Sequence, residues 1–423
     1  SRVNLRGTLE AAGGRSSTAG PERQWIQGLL VILQVALASL LLMGASLLIQ
    51  SLQGLQNVPL GFDPHNLLTV AIKLPTSKYQ NKANEPTKTV DVATFYDSIL
   101  ARMQRVPGVQ SVALGTGTPF NGNYSFMDFG VIGQPEPKPG EEPTAESESV
   151  SPDYFKTLKI QLIRGRAFDA EDRTGKTPVV IIDEKLADRC FPGQDPIGQR
   201  ITEDPHKADS VRYTIVGIVR TVRNNDLASV PKQVELYFPV SQRPELQMTA
   251  VLRAKGDPLG LVSVVREAVQ SVDPNLPVFN IGTMESQISQ ELVTQRLSVI
   301  LVSLFSILAL LLAAVGLYGL LAYSIAQRTR EIGIRIAVGA GSGSILSLVV
   351  RQGLMIVGIG LLVGILGSII STHLMQSLLY GVTGTDPTAI LSATGVLGLA
   401  AFLACLVPAL RAIRINPIIA LRE

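Results

Sequence analysis

The chain has 423 residues, a formal charge of +3, 46% hydrophobic residues and a mean hydropathy of +0.29. That length allows a membrane module plus one or two water-facing domains, and so small a charge excess argues against nucleic acid as a partner. Cys190 lies in the polar middle and Cys405 in an apolar run, so no disulfide is expected and no redox compartment follows.

Residues 1–24 read as a cytoplasmic arm with Arg2, Arg6, Arg15 and Arg23, made flexible by Gly13, Gly14 and Gly20. The chain opens on Ser1 without a methionine or the short apolar core of a signal peptide, which predicts an internal start within a longer parent. From Trp25 no charged residue occurs before Asp63, and the apolar core Ile26–Ile49 exceeds the roughly 20 residues needed to cross hydrocarbon. Residues 25–52 are therefore predicted as the first transmembrane helix, with Gln34, Ser39 and Ser46 its notable polar groups.

Residues 53–286 read as one large domain. Asn66–Leu74 alternates like a strand, the apolar residues from Val92 to Val106 follow helical spacing, and Val109–Leu114 is a second strand. A matching unit comes later: strand Met248–Arg253, an Asp257-Pro258 helix start, a helix with Val262, Val265, Val269 and Val272 on one face, and strand Pro277–Ile281. The pair predicts two β-α-β units of ferredoxin-like character. Between them Ile160–Arg164, Pro178–Ile182, Arg200-Ile201 and Tyr213–Arg220 predict an inserted β-rich lobe, and Gly133–Thr144 a solvated loop.

Gln287–Gln295 leads without a breaker into an uncharged run, so 287–327 is expected to be one helix serving as stalk and second span. Residues 328–351 follow as a cytoplasmic segment. Gly341–Gly343 is expected to be a flexible joint, and Ser344–Arg351 an interfacial stretch with Arg351 snorkelling. Residues 352–375 and 389–410 are the third and fourth spans. The loop 376–388 has no Lys or Arg, whereas the arm, 328–351 and the tail 411–423 are arginine-bearing. Both termini are thus expected inside and the large domain outside. The fold class is an α+β membrane protein with four transmembrane helices and a large extracytoplasmic domain between the first and second.

Catalytic patterns are missing. His65, His206 and His373 stand apart, with no HExxH, paired CxxC, GxSxG or GxxxxGK[ST]. Asp169, Glu171 and Asp172 read as a solvated turn beside Arg173, and no metal, cofactor or catalytic residue is assigned. The four spans contain no Asp, Glu or Lys of the kind that ion-driven carriers use as relays. A transporter built this way would draw energy from another protein. Gly360 and Gly364 form a GxxxG with Gly367 one turn on, a pattern suited to close helix packing.

Arg328–Ala340, RTREIGIRIAVGA, is a short charged helix between two apolar runs. Arg328, Glu331 and Arg335 share one face, and Glu331 precedes Arg335 by four residues, the favourable order for an ion pair. Two readings stay open on these residues alone: a positive-inside loop, or a docking helix for a cytoplasmic partner.

RTREIGIRIAVGA, the ending RAIRINPIIALRE, the stretches SPDYFKTLKIQLIRGRAFDAED and FPGQDPIGQRI, and VALASLLLMGASLLIQSL with GFDP together resemble the MacB/FtsX-type permeases of ABC transporters. The last of these resembles the C-terminal half of the duplicated, double-length MacB-like permeases. The resemblance implies a MacB-like periplasmic core domain over 53–286 and an inner-membrane location. It implies an ABC ATPase on a separate subunit that pushes on a coupling helix containing Arg328, Arg330, Glu331, Gly333, Arg335 and Gly339. It also implies a second permease half or homodimer partner, a lipid surround and a periplasmic adaptor, with export, efflux or envelope mechanotransmission as the output. Gly341-Ser342-Gly343-Ser344 departs from the charged residues often found there, and no ATPase domain is fused. The alternative is a non-transporting scaffold or sensor whose outer domain binds a ligand.

Overall fold

The computed structural model describes residues 19–75, 87–122, 125–207, 209–224, 227, 233–327, 329, 334, 342–375 and 386–413. The chain divides into two compact units, Ser1–Asn57 with Thr294–Glu423, and Val58–Val293.

The first unit holds helices α1 (Ala19–Gln56), α7 (Val293–Gln327), α8 (Ser342–Met375) and α9 (Pro387–Ile413). All four are long and apolar enough to cross a membrane. They are apolar on every side, as helices are that face lipid rather than water. Leu308, Leu312 and Val315 of α7 and Leu362, Val363 and Leu366 of α8 remain exposed, while Val35, Ala313, Leu317, Val357, Ala401 and Cys405 form the shared core. Helix α8 starts at Ser342, so Ser342 and Gly343 of the expected joint and the stretch Ser344–Arg351 are helical and continuous with the third span. Its glycines do not break it, because within hydrocarbon a helix is the one local arrangement that satisfies every backbone polar group.

The second unit is built on one sheet. Strands β1 (Leu67–Lys73) and β2 (Val109–Gly115) flank helix α2 (Thr87–Gln104) in sequence; β11 (Gln247–Ala254) and β12 (Val278–Thr283) flank helix α5 (Val262–Gln270). They lie side by side in the order β12-β1-β11-β2, every pair antiparallel. Each β-α-β unit is thus split by a strand of the other, the ferredoxin-like arrangement. Period-two alternation turns Leu68, Val70 and Ile72 of β1 and Met248, Ala250 and Leu252 of β11 onto the helices, where they meet Tyr96, Ile99, Met103, Val265 and Val269. Asp257 caps the 3₁₀ turn Pro258–Leu261 by accepting from the Leu259 amide at 3.0 Å.

The inserted lobe is a continuation of this sheet rather than a sheet of its own. β5 (Thr144–Val150) joins β2 through Gly115 and Val150, then runs parallel to β10 (Glu235–Pro239). Beyond it lie β7 (Val179–Asp183), β9 (Arg212–Val219), β8 (Arg200–Thr202) and β4 (Gly130–Val131). β3 (Phe126–Asp128) pairs with β5, and β6 (Leu162–Gly165) with β9. Of two short helices, α3 (Tyr154–Leu158) packs on β2 and β11, and α4 (Glu184–Cys190) packs on β7 and β9. The strand β5 escapes a hydropathy reading because Glu146, Ser147, Glu148 and Ser149 are polar in both phases, yet all four are buried. Asp172 also departs from the solvated turn expected of it. It is 4% exposed, and Arg166 grips its two carboxylate oxygens at 2.6 and 2.8 Å.

Helix α6 (Met284–Glu291) is capped by Thr283, whose hydroxyl accepts from the Ser286 amide. Leu292 adopts φ −88° and ψ −2° and is buried, which divides α6 from α7 where a single continuous helix was expected.

The chain entering the second unit is held by Arg253 of β11, whose side chain is 5% exposed. Its guanidinium donates to the carbonyls of Thr157 (2.8 Å), His65 (2.8 Å) and Asp63 (2.9 Å) and to the Asp63 carboxylate (3.3 Å). Lys159 adds a 2.7 Å ion pair to the same carboxylate. Burial alone would push Asp63 up, but hydrogen bonds from Lys159 and His65 and the Arg253 charge hold it well below the usual carboxylate range. Gly61, two residues earlier, has φ +83°, and a Cβ there would lie 2.4 Å from the Thr221 carbonyl, so no other residue fits. Removing Arg253 strands three carbonyls and leaves the Asp63 carboxylate with Lys159 and His65 alone. Arg253→Ala is expected to destabilise this unit by about 3–5 kcal/mol, with Lys159→Ala, at an exposed pair, costing about 1 kcal/mol or less; denaturant unfolding followed by tyrosine fluorescence checks the difference.

Candidate functional site

The residues expected to couple the chain to a partner, Arg328, Arg330, Glu331, Gly333, Arg335 and Gly339, lie outside the described residues. What the structure describes is the helix packing on either side of them. In the last turns of α7 the Gln327 side-chain amide donates to the Tyr323 hydroxyl at 2.7 Å. Two turns before Tyr323's end of the helix, the Tyr318 hydroxyl accepts from Arg411 of α9 at 2.7 Å, and the guanidinium sits 5.9 Å from the Tyr318 ring centre. Arginine in the final turn of a helix is favoured by the carbonyl end of the helix dipole. Sequence reasoning placed Arg411 in the tail but gave it no partner, since nothing in one strip of sequence relates it to Tyr318.

Helix α1 meets each of the other three helices through a polar side chain. Gln34 packs on Gly316 of α7, where an added Cβ would come within 2.3 Å of its side-chain oxygen. Ser39 packs on Gly364 of α8, and Ser46 meets Ser392 of α9 at 3.2 Å. One turn further Gln50 donates to the Thr388 hydroxyl at 2.8 Å. Gly360 and Gly364 admit α1 closely. A Cβ on Gly360 would stand 2.7 Å from the Val35 Cβ and 3.0 Å from the Ile32 carbonyl, and one on Gly364 would stand 2.5 Å from the Ser39 Cβ and 2.7 Å from the Ala36 carbonyl. Gly367 is looser, 3.3 Å from Leu40. Gly353 similarly accommodates Cys405 of α9. Between lipid and helix there is no hydrophobic gain, so close backbone approach through small residues is what holds such helices together.

A second constellation lies inside the large domain. Asp183 of β7, Glu235 of β10 and Glu146 of β5 are neighbours in one row across the sheet, and Tyr237 and Glu148 are neighbours in the next. All are buried. The Asn224 amide bridges Glu235 (2.8 Å) and Glu146 (3.3 Å), Thr221 donates to Asp183 (2.6 Å), and Tyr154 donates to Glu148 (3.2 Å). Tyr237 donates to Glu235. Burial, then the charge of Glu146, pushes Glu148 up from 4.5 to about 8. Burial, then the charge of Asp183, raises Glu235 strongly, and burial raises Asp183 against the hydrogen bond from Thr221. Glu148 and Glu235 therefore keep their protons more readily than a solvated carboxyl, and the row forms a hydrogen-bonded plug in the sheet. No residue of it was singled out by sequence, because alternating Glu and Ser looks like surface until partners cover both faces.

Of the isolated histidines, His65 lies 2.8 Å from the Asp63 carboxylate and His206 lies 2.9 Å from the Glu142 carboxylate, both in hydrogen-bond contact.

Residues 29–271, more than half of the chain, match the family described as MacB-like periplasmic core domain, and residues 303–417 match the FtsX-like permease C-terminal family. The chain belongs to the MacB/FtsX-type ABC transporter permeases. The MacB-named relatives it resembles include a macrolide export ATP-binding/permease protein MacB of Agrobacterium fabrum, 27% identical over 231 residues that cover 52% of this chain and 34% of that protein. A probable export ATP-binding/permease protein of Pseudomonas fluorescens is 27% identical over 295 residues, 66% of this chain and 43% of that protein. This MacB/FtsX chain thus spans less than half the length of the relatives it matches. The periplasmic region of MacB from Actinobacillus actinomycetemcomitans, a crystal structure, aligns at 15% identity and a TM-score of 0.35, covering 54% of this chain and 93% of that one. In MacB/FtsX terms the glycine seam belongs to the permease helices and the carboxylate row to the core domain.

Two measurements probe these features. Gly364→Leu forces α8 away from α1 and is expected to lower stability in detergent by about 1–3 kcal/mol, while Gly358→Leu, where a Cβ meets nothing within 4 Å, leaves it unchanged. In the core domain the folded state holds a proton on Glu148 that the unfolded chain releases. Its stabilising contribution is full below about 4.5 and is lost as pH rises through about 8. The unfolding midpoint of the core domain within the full chain should fall across that window, and Glu148→Gln, which keeps the shape without the charge, should flatten the fall.

Proposed function

We propose that this chain is the permease subunit, or half-permease, of a MacB/FtsX-type ABC transporter, driven by ATP hydrolysis on a separate ATPase subunit. The observation that carries this reading is the order of parts: one apolar helix and a MacB-like core domain over 29–271, then three apolar helices with the FtsX-like region over 303–417. The relatives' names join ATP-binding and permease functions, which supports an ABC ATPase as the partner. The four spans offer no Asp, Glu or Lys as an ion relay, so the driving force enters from outside them.

In this reading the ATPase docks on 328–340. Arg328, Arg330, Glu331 and Arg335 present the charged face, and Gly333 and Gly339 shape the backbone under it. A push there moves α7, and Gln287–Arg296 hands the displacement to the core domain. The contacts of Arg411 with Tyr318 and of Gln34 with Gly316 make α7 move with its neighbours rather than alone. The termini and 328–351 face the cytoplasm, the core domain faces the periplasm, and a second permease half or a second copy completes the transporter in the inner membrane. Gly360, Gly364 and Gly367 form the packing seam that keeps α8 on α1. The work done is export, efflux or mechanical transmission across the envelope, with a periplasmic adaptor as a further partner.

The double variant Glu331→Lys with Arg335→Glu is expected to lose co-purification with the ATPase while its level in the membrane is unchanged. An ATPase that still co-purifies in wild-type amount would overturn the docking assignment and leave the scaffold or sensor reading in its place.

A further inference from the structure

On the face of the sheet turned away from α2 and α5, the large domain holds a cavity of about 400 Å³. The residues of β1 and β11 that alternate with the core set its floor: Thr69 and Ala71, Gln247 and Thr249. Helix α6 and the turn at Phe120 and Asn121 form the walls. A second cavity of about 330 Å³ shares Gln247 and continues along β5 past Ser147 and Ser149, so the two adjoin.

Three features define what this cleft can hold. First, no charged side chain lines the first cavity among the described residues; its polar groups are hydroxyls and carboxamides. The second is lined by Glu245 and by Arg243, which is engaged 3.3 Å from Glu203 and over the Phe238 ring at 4.9 Å. A charged ligand would find no counter-charge in the first cavity. Second, β1 is paired on one side with β12 and on the other with β11, and β11 with β1 and β2. The floor strands therefore have no free main-chain edge on which a peptide could add; β12, which ends the sheet, lines the cavity with Asn280, Ile281 and Gly282. Over the floor, recognition runs through side-chain hydroxyls and amides, each group able to donate and accept, which suits a ligand that is itself rich in hydroxyls. Third, Phe120 and Asn280 line the cavity with φ of +63° and +48°. Residues with a Cβ are rarely held in that region, and where they are, they cluster at ligand sites. The Phe120 turn is fixed by its amide, which donates to the Asn224 carbonyl at 2.7 Å. The opposite wall is fixed by Gln287, which donates to Thr69 at 2.9 Å, while Thr69 donates to the Gly282 carbonyl at 3.0 Å. The cleft is thus preformed and falls in the size range of small-molecule sites, about 300–1,000 Å³.

We propose that this cleft binds a neutral saccharide of one or two sugar units, its hydroxyls met by Asn121, Gln247, Thr249 and Gln290 and its apolar ring face by Phe120. The proposal does not depend on the ATPase-driven reading above, since it concerns binding to the large domain alone.

The test uses the full chain in lipid nanodiscs, titrated with maltose, cellobiose and N,N′-diacetylchitobiose, with glucuronic acid and triglycine as controls. Saturation-transfer NMR and calorimetry are the readouts. At least one disaccharide is expected to bind with a Kd of about 1 mM or tighter, and Gln247→Met combined with Gln290→Leu should weaken it at least tenfold without moving the unfolding midpoint. Should that variant unfold, Ser286→Leu, at an exposed helix position on the rim, serves instead and should weaken binding in the same direction. Failure of all three disaccharides to bind, equal binding by the variants, or equal binding of glucuronic acid or triglycine at the same cleft would overturn the proposal.

Discussion

The guanidinium of Arg253 determines how the large domain is assembled. It sits on a central strand, yet its hydrogen bonds run to the entering segment at Asp63 and His65 and to the end of α3 at Thr157. Those segments belong to different parts of the chain, and none of them has a regular partner for its carbonyls. A buried arginine with five donors can serve all of them at once, at the expense of a large desolvation term that the Asp63 carboxylate offsets. Without that tie, the carbonyls of Asp63, His65 and Thr157 would be left without their donor.

The membrane unit solves a different problem. Its helices are surrounded by lipid as apolar as they are, so burying leucine against leucine gains little. The selectivity lies in where a side chain is missing. Gly316, Gly360 and Gly364 each create a recess, and Gln34, Val35 and Ser39 of α1 fill them in turn. Because these three α1 positions face two different neighbours, α1 cannot rotate or slide without breaking contact with both α7 and α8. The glycine recesses thus fix α1 against both neighbours at once.

Inside the core domain two polar regions back onto the same strands and have opposite characters. The carboxylate row lies on the covered face of β5 and β10, closed by Tyr154, Tyr237 and Asn224, and burial there raises the proton affinity of Glu148 and Glu235. The cavity on the other face of β1 and β11 is lined by hydroxyls and carboxamides, and its continuation along β5 by Ser147 and Ser149 with Arg243 and Glu245. Strand β5 serves both, with Glu146 and Glu148 on one side and Ser147 and Ser149 on the other. Alternation along a strand is normally a division between core and solvent. Here it divides a sealed polar layer from a ligand-sized recess.

Much of this was legible in the residues themselves. Uncharged runs identify the four spans because no charge can be hidden in hydrocarbon at low cost. The helix between β1 and β2 and the one between β11 and β12 show in spacing, because an amphipathic face repeats locally. GFDP and the coupling and C-terminal motifs pointed to the MacB/FtsX family. What only the tertiary structure decided are the relations between distant residues. The sequence carries no mark that β11 lies between β1 and β2, that the insert prolongs the same sheet, or that Arg411 reaches Tyr318. The polar strand β5 is a strand because β2, β3 and β10 supply its hydrogen bonds, and its glutamates are buried because aromatic side chains from elsewhere cover them. Local propensity and hydropathy are properties of neighbours in sequence; burial, proton affinity and helix register are properties of neighbours in space, and for this chain those neighbours lie up to hundreds of residues away.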